Sequence, residues 1–154
     1  MNNHGNIEIT DEHKLLDNRD LLDLSMQCFC EIADLHNVWA SLIICTPNQM
    51  SNVNRKYRGV DKTTDVISFP AETGPSTEEA ASCDGCYLGE ILIDINYIAE
   101  HSETGNHDTG LVQVFVHGLL HLIGYDHLNT GQKNIMQEME KKIMDYMAQA
   151  EHHG

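Results

Sequence analysis

The segment "VFVHGLLHLIGYDH", residues 114–127, decides the fold and the chemistry of this chain. If the segment is helical, its apolar residues cover nearly every face of the helix, which is typical of a helix buried in the core. The same segment carries His117, His121 and His127. A buried polar group without a hydrogen-bond partner costs about 1–3 kcal/mol, so three buried imidazoles need compensation. The composition of the segment therefore predicts that the three rings share one partner.

The spacing of the histidines indicates what that partner is. His117 and His121 are four residues apart, so a helix places both on one face, one turn apart. Gly124 is typical of a helix that ends in a left-handed turn, after which the chain can return and bring His127 toward the first two. A single histidine here would be interpreted as a hydrogen-bonded core residue. Three neutral imidazoles with an open fourth position are typical of a catalytic zinc site.

Strand and helix patterns alternate around this central helix. Short alternating or β-branched runs predict four strands, and apolar residues three and four apart predict the helices. These elements predict one α+β domain over residues 1–154, with a mixed sheet packed against helices and a frayed tail at 149–154. The predicted strands are 6–10, 38–46, 63–70 and 87–95, and the predicted helices are 17–37, 47–59, the start of 96–107, 109–125 and 131–150.

Composition favours a cytosolic protein with no membrane partner. The chain has 154 residues, and no apolar run is long enough to span a bilayer. Its first ten residues lack the basic start and apolar core of a secretory signal. The five cysteines are an odd number, and we interpret them as reduced thiols. Cys83 and Cys86 form a C-x-x-C without a second pair, which favours a variable loop over a zinc ribbon.

The charge distribution restricts the choice of nucleic-acid partner. A formal net charge of −15 argues against DNA or nonspecific RNA binding, because phosphate binding needs a local positive field. The segment "NRKYRGVDK" is nevertheless basic, and no Lys or Arg occurs from Thr63 to Gln132. This basic segment is either a solvated helix end or a phosphate contact. Its basic residues are Arg55, Lys56, Arg58 and Lys62.

The histidine spacing also occurs in the metzincin proteases, which carry H-E-x-x-H-x-x-G-x-x-H. In this chain Gly118 occupies the position of the glutamate that acts there as general base. That difference counts against peptide hydrolysis by the metzincin mechanism. A glycine at this point predicts instead that the helix packs closely against a neighbour.

Three segments carry a specific resemblance to a known family. "HGLLHLIGYDH", residues 117–127, fills every fixed position of the signature H-G-x-L-H-L-x-G-Y-D-H. "YRGVDKTTDVISFP", residues 57–70, and "LGEILIDI", residues 88–95, match two further blocks in order and spacing. On these residues the chain resembles the YbeY family of small metalloproteins, from about Asn48 to the C-terminal helix. The resemblance implies an α+β fold with a zincin-like metal helix in the core.

The resemblance also implies an activity and roles for individual residues. Proteins of this family are described as single-strand-specific, zinc-dependent endoribonucleases in ribosomal RNA maturation, including the 3′ end of 16S rRNA, and in ribosome quality control. It implies that the three histidines bind one zinc ion and that Arg58 is needed for catalysis. The implied partners are single-stranded RNA, ribosomal RNA and the ribosome.

Other residues receive weaker expectations. Arg55, Lys56 and Lys62 are expected to contact the RNA backbone, because phosphate contacts need positive charge. Asp126, beside His127, is either a general base or a residue that orients a metal-bound histidine, and we expect the second role. Tyr57 and Tyr125 offer ring faces on which unpaired bases can stack, although tyrosines are more often core or rim residues.

Three function classes remain open from the sequence. The first is the metal-dependent endoribonuclease that the resemblance implies. The second is a metal-dependent hydrolase of another substrate, including peptides. The third is a noncatalytic ribosome-associated factor in which the metal is structural. An open coordination position would favour an enzyme, because structural zinc sites are closed by four protein ligands.

Overall fold

A computed structural model of the chain describes residues 5–59, 64–71, 85–101 and 107–153. The predicted α+β fold is confirmed, with four strands and five helices in these residues. The helices include none that is both long and apolar enough to cross a bilayer. In chain order the elements are β1 (Gly5–Thr10), α1 (Arg19–Ala33), β2 (Val38–Cys45), α2 (Pro47–Arg58), β3 (Val66–Pro70), β4 (Tyr87–Asp94), α3 (Ile95–Glu100), α4 (His107–Leu122) and α5 (Thr130–His153).

The four strands form one mixed sheet in the order β1-β2-β4-β3, which confirms the predicted mixed sheet. β1 pairs with β2, and β2 with β4, in parallel, whereas β3 runs antiparallel to β4. Helices α1 and α4 pack against the sheet, and α5 packs against both of them. Ile91 and Ile93 of β4 belong to this main core, whereas Leu92 belongs to a smaller cluster with Met50 of α2. Because side chains alternate along a strand, α2 lies on the opposite face of the sheet from α4.

Helix α4 approaches the sheet closely at Gly118. A Cβ atom added there would lie 3.1 Å from Ile91 Cγ2 and 3.1 Å from Ser68 Oγ. The predicted close packing at Gly118 is therefore confirmed. Even an added Cβ would need these side chains to shift by a few tenths of an ångström, so the longer glutamate that a metzincin carries at this position would crowd Ile91 and Ser68.

Local sequence signals set the bounds of α2. Thr46 Oγ1 accepts from the Gln49 backbone N–H at 3.3 Å, and Gln49 Oε1 accepts from the Thr46 N–H at 2.9 Å. This reciprocal pair is a capping box, and Pro47 adds a residue whose fixed φ suits a first turn. Gly59 ends the helix in the left-handed conformation at φ 69°. The basic last turn therefore lies at the negative end of the helix dipole, where cations are favoured.

Helices α1 and α4 end earlier than predicted, at Ala33 and Leu122 rather than at residues 37 and 125. The first helix stops at Ala33 because Asp34 and Asn37 adopt left-handed φ values of 56° and 55°. The frayed tail predicted at 149–154 stays a prediction, and the described part of α5 runs to His153. Residues 148–151 are favourable helix formers, and this stretch contains no glycine or proline before Gly154 to end the helix. The extent of the domain over residues 1–154 stays a prediction.

The cysteines divide into buried thiols and one oxidised residue. Cys28, Cys30 and Cys45 are free and buried. Burial raises the pKa of Cys30 to about 12, and burial together with Asp94 and Glu90 raises the pKa of Cys45 to about 11. These two thiols are therefore poor nucleophiles. Cys86 takes part in a disulfide bond, so the prediction of reduced thiols is wrong for that residue. Cys83 lies outside the described residues.

Substitution of Gly89 in β4 tests the described packing of β4 against β3. Gly89 has φ 134°, and an added Cβ would lie 2.4 Å from the Phe69 backbone oxygen and 2.9 Å from the Ala71 backbone nitrogen. Gly89→Ala is expected to lower the free energy of unfolding by about 2–5 kcal/mol, through backbone strain and overpacking. Urea unfolding at equal metal content measures this change.

The matched control for Gly89 is Gly131, which lies in the exposed first turn of α5. An added Cβ there meets only Asn129 Oδ1, at 3.4 Å. Gly131→Ala is expected to leave stability unchanged or to raise it by up to about 1 kcal/mol. Equal effects of the two substitutions would show that β4 has another register than the one described.

Candidate metal centre

The end of α4 turns the chain back on itself at Gly124. The Tyr125 N–H donates to the Leu120 carbonyl at 3.0 Å, and the Gly124 N–H donates to the His121 carbonyl at 3.1 Å. This pair of bonds is a Schellman motif, and it requires the left-handed φ of 102° that Gly124 adopts. Tyr125 then packs against the main core. The turn is therefore anchored at both ends, and the residues that follow are directed toward the helix face.

Three histidine rings converge at this turn. His117 and His121 lie on one face of α4, with ring centroids 4.6 Å apart and Nε2 atoms 3.0 Å apart. The ring of His127 lies 5.8 Å from that of His117 and 5.1 Å from that of His121, centroid to centroid. One ring nitrogen from each residue lies within 4.8 Å of the others. The three nitrogens can therefore bind one metal ion.

A carboxylate on α5 orients the first of these rings. Glu140 Oε1 lies 2.7 Å from His117 Nδ1, and the two side chains are 31% and 32% exposed. An ionised carboxylate can only accept a hydrogen bond, so Nδ1 of His117 carries the hydrogen and donates it to Glu140 Oε1. Nε2 then keeps its lone pair and points toward His121. This arrangement is typical of histidines that bind a metal ion through one nitrogen and a carboxylate through the other.

The environment of His121 keeps its ring neutral. Burial lowers the pKa of His121, and the neighbouring rings of His117 and His127 lower it further. Asp126 acts in the opposite direction without reversing the shift. Only a neutral imidazole has a lone pair for a metal ion, so this environment favours binding of a cation at neutral pH.

Local hydrogen bonds hold the loop that carries His127. Asp126 Oδ1 accepts from the His127 backbone N–H at 2.7 Å. Further along, the Leu128 N–H donates to Gln132 Oε1 at 3.1 Å, and Asn129 Oδ1 accepts from the Gln132 N–H at 2.8 Å. These bonds connect the loop to the first turn of α5. His127 is thus held near the other two rings although it is the most exposed of the three.

The three rings open into a cleft of about 720 Å³ between α4 and β3. Arg58, the last residue of α2, is the only basic residue among the described residues that line it. Arg58 reaches the cleft from the other face of the sheet because α2 ends beside the edge strand β3. The lining also includes Thr64, Asp65, Val66, Ser68, Pro70, Gly124, Tyr125 and Asp126.

Comparison with models of protein families shows which family the chain belongs to. The model of the family described as Endoribonuclease YbeY matches residues 6–148. The chain belongs to the YbeY family. The resemblance predicted from the three sequence blocks is therefore confirmed, as is the prediction of an enzyme that cleaves RNA internally, at the level of the family.

Individual members of the YbeY family are similar in sequence to this protein over most of the chain. An Endoribonuclease YbeY of Sulfurovum sp. (strain NBC37-1) is 38% identical over 133 residues, which cover 84% of this chain and 87% of the relative. That of Lacticaseibacillus casei (strain BL23) is 31% identical over 144 residues, which cover 90% and 94%. The solution structure of TM1509 from Thermotoga maritima superposes with a TM-score of 0.59 at 23% identity, covering 94% of this chain and 93% of that one. The last comparison supports the fold alone.

The structure separates the basic residues that the sequence grouped together. Arg58 lines the cleft, whereas Arg55 donates to Asn52 Oδ1 on its own helix at 2.9 Å. The Lys56 ammonium lies over the Tyr57 ring, 5.4 Å from its centroid. Lys62 falls outside the described residues, so its predicted RNA contact stays a prediction.

Glu140 is the residue that sequence reasoning missed. Asp126, which was expected to orient a metal-bound histidine, accepts from the backbone N–H of His127, and Glu140 contacts the His117 ring. One signal was present in the sequence. Met136, Ile143 and Met147 are the buried residues of α5, and Glu140 falls on the same helical stripe. A carboxylate on an apolar stripe needs a polar partner, and in the YbeY fold His117 is that partner.

Proposed function

We propose that the chain is a zinc-dependent endoribonuclease that cuts single-stranded ribosomal RNA during maturation of the 3′ end of 16S rRNA. Ribosome quality control and a cytoplasmic location, where ribosomal RNA is processed, are part of the same proposal. The observation that carries it is one cleft that holds three convergent imidazoles and a single arginine. The relatives' printed name, Endoribonuclease YbeY, supplies the reaction class.

The donor set supports zinc as the bound metal. Imidazole nitrogens suit zinc, and three protein ligands leave an open position of the kind found in catalytic rather than structural sites. The fixed protonation of His117 at Nδ1 and the neutral ring of His121 leave both residues ready to bind a cation. In the role we propose, His117, His121 and His127 hold the ion, and Glu140 and Asp126 position the first and third of them.

Arg58 provides the phosphate contact in this proposal. Its guanidinium is always charged, and its planar fork matches two phosphate oxygens. Placed in the cleft with the histidines, it can hold the scissile phosphate and stabilise the negative charge that develops there. A bound zinc ion would supply Lewis-acid chemistry and the activation of a water molecule.

The rest of the surface favours a guided substrate over free RNA. The formal net charge of −15 repels phosphates over much of the surface, and the end of α2 carries the densest group of basic residues in the sequence. Loose RNA binding is therefore weak, and productive binding depends on the few contacts in and beside the cleft. This charge distribution supports a substrate that is presented by the ribosome.

The other two function classes are disfavoured by specific contacts. A peptidase of the metzincin type needs a glutamate where Gly118 packs against Ile91 and Ser68. A purely structural metal needs a fourth protein ligand, and the described residues bring together only the three histidines. The test of the proposal therefore compares RNA substrates directly.

That test measures cleavage of one ribosomal RNA fragment in its single-stranded form and in a duplex with its complement. We expect the protein to cut the single strand and to leave the duplex intact. Loss of cleavage in a chelator and its recovery with zinc show that the activity depends on metal. Equal cleavage of both forms would contradict single-strand specificity, and tight zinc binding without any cleavage would move the structural-metal alternative to first place.

Glu140 is expected to set the affinity of the metal site. Without its carboxylate, His117 is no longer held with Nε2 toward the other two rings. Glu140→Ala is therefore expected to weaken zinc binding by about 10- to 100-fold. Glu140→Gln, whose amide oxygen can still accept a hydrogen bond from the Nδ1–H group, is expected to lose less. Competition with a chromophoric chelator measures the zinc affinity without relying on enzyme activity.

Glu138 provides the control for Glu140, because it lies on the same helix with an exposed side chain. Glu138→Ala changes the net charge by the same amount as Glu140→Ala but leaves the carboxylate on His117 in place. We expect it to bind zinc as the wild type does. If both alanine variants lost the same affinity, the effect would be one of net charge, and the orienting role of Glu140 would be wrong.

A further inference from the structure

Tyr57 is an exposed aromatic residue at the end of α2. The residue is 61% exposed, whereas Tyr125, the other tyrosine considered for stacking, is half-buried against the core. The ring of Tyr57 meets the ring of Phe69 in β3 edge-on, with centroids 5.1 Å apart and planes at 67°. Phe69 is itself partly buried in the small cluster under α2. The contact with Phe69 holds one side of the Tyr57 ring in place, and most of the ring remains exposed to solvent.

The last two residues of α2 place side chains on opposite faces of the edge strand β3. Arg58, the next residue after Tyr57, lines the metal cleft, and so do Ser68 and Pro70 on either side of Phe69. Because side chains alternate along a strand, Phe69 and the Tyr57 ring lie on the opposite face of β3 from the cleft. No strand of the described residues covers the outer edge of β3. A chain that leaves the cleft around this edge meets Tyr57 next.

Positive charge accompanies the exposed ring. The Lys56 ammonium lies 5.4 Å from the centroid of Tyr57. Lys56 has a flexible stem, so its ammonium can move from the ring to a phosphate oxygen when a nucleotide arrives. The last turn of α2 holds three of the nine basic residues of an otherwise acidic chain. An aromatic face beside a cation is the combination that single-strand RNA-binding proteins use for a base and its phosphate.

We propose that Tyr57 and Lys56 form a second nucleotide subsite, in which an unpaired base stacks on Tyr57 and Lys56 contacts the adjoining phosphate. The inference rests on the proposed function, since it concerns the same RNA substrate outside the metal cleft. It adds a reason for single-strand selectivity: a base in a duplex is already stacked and paired, so it cannot turn onto the ring. Stacking is tolerant of sequence, because every base has an aromatic face.

The test uses the zinc-loaded full chain and two single-stranded RNAs, of about 4 and about 16 nucleotides, the range that single-strand sites span. We expect the short RNA to occupy the cleft only and the long RNA also to reach Tyr57. For Tyr57→Ala, kcat/KM on the long RNA is expected to fall about 5- to 100-fold, through KM, while kcat/KM on the short RNA stays unchanged. Tyr57→Phe, which keeps the ring, is expected to behave as the wild type.

Two control variants separate the subsite from a general effect on the protein. Tyr146→Ala removes a tyrosine that is 40% exposed on α5, and it should leave both substrates unaffected. Lys56→Gln should reduce the slope of log kcat/KM against log salt on the long RNA by up to about 0.7, the value for one phosphate contact on a single strand. Lys142→Gln, an exposed lysine of α5, should leave that slope unchanged.

The outcomes distinguish the subsite from the function on which it rests. Two outcomes with a wild type that cuts both RNAs would overturn the subsite while the endoribonuclease stands. In one, Tyr57→Ala lowers kcat/KM equally on the two RNAs. In the other, Tyr57→Ala lowers kcat/KM on neither RNA. If the wild type cuts neither RNA, the proposed function fails, and the subsite fails with it. A loss confined to the long RNA that Tyr57→Phe does not share establishes the subsite.

Discussion

Replacing His121 with alanine is expected to abolish tight metal binding and RNA cleavage together. Structural zinc sites, which have four protein ligands, bind with roughly 10–16 kcal/mol, so one protein ligand accounts for about 2.5–4 kcal/mol. The expected loss in zinc affinity is therefore roughly 10²- to 10³-fold. Cleavage should fall by roughly 10³-fold at micromolar zinc, because the ion supplies several kcal/mol of charge stabilisation.

The measurement for His121→Ala is zinc competition with a chelator, followed by RNA cleavage on the same samples. His13 provides the control, because it is exposed and lies far along the chain from the cleft. His13→Ala should keep both properties. Circular dichroism shows that His121→Ala is folded. A folded His121→Ala protein that holds zinc as tightly as the wild type would contradict the proposed ligand set.

Replacing Arg58 with alanine is expected to remove cleavage while leaving the metal in place. Arg58 lines the cleft but belongs to α2, whereas the three histidines belong to α4 and the loop after it. Removing one preorganised donor at a developing charge typically costs about 10²- to 10³-fold in kcat. We expect that loss for Arg58→Ala, with zinc affinity unchanged.

Two further variants define the role of Arg58. Arg58→Lys keeps the charge but loses the planar fork, so it should recover part of the rate rather than all of it. Arg19→Ala is the control, because Arg19 is an exposed arginine that pairs with Asp23 on α1 at 3.9 Å. Initial rates on single-stranded RNA separate kcat from KM for each variant. Full activity in a folded, zinc-loaded Arg58→Ala protein would show that Arg58 does not act on the scissile phosphate.

The metal-binding geometry was the part of the site most open to prediction from sequence, because it is local. A helix places His117 and His121 together whatever the rest of the chain does. The Schellman turn that returns His127 requires a left-handed residue, which Gly124 supplies, and the bonds of Tyr125 and Gly124 to α4 follow from that motif. The close packing at Gly118 was predictable for a similar reason, since a glycine inside a helix lowers stability and is typical of a close approach to a neighbouring element.

Contacts between elements that lie far apart in the sequence could not be predicted from local sequence patterns. Glu140 lies 23 residues from His117, and only the packing of α5 against α4 brings the two together. The strand order β1-β2-β4-β3 likewise depends on tertiary pairing, because a strand pattern does not name its neighbour. Arg58 was identified by resemblance. Its position in the cleft follows from α2 ending beside β3 on the opposite face of the sheet.

One error has a clear physical cause. Cysteine count and the apparent compartment led us to expect reduced thiols, but oxidation depends on whether two cysteines meet in space. Cys86 is disulfide-bonded, and the number of cysteines in the chain could not reveal that.

The central claim is that one metal ion, held by His117, His121 and His127, makes this protein an endoribonuclease. Its most direct test is a titration of the metal-free protein with zinc while cleavage of a single-stranded ribosomal RNA is followed. We predict that cleavage is absent without metal, rises in proportion to added zinc and reaches its plateau at one equivalent per chain. Full cleavage by the metal-free protein, or no cleavage after one equivalent is tightly bound, would contradict the claim.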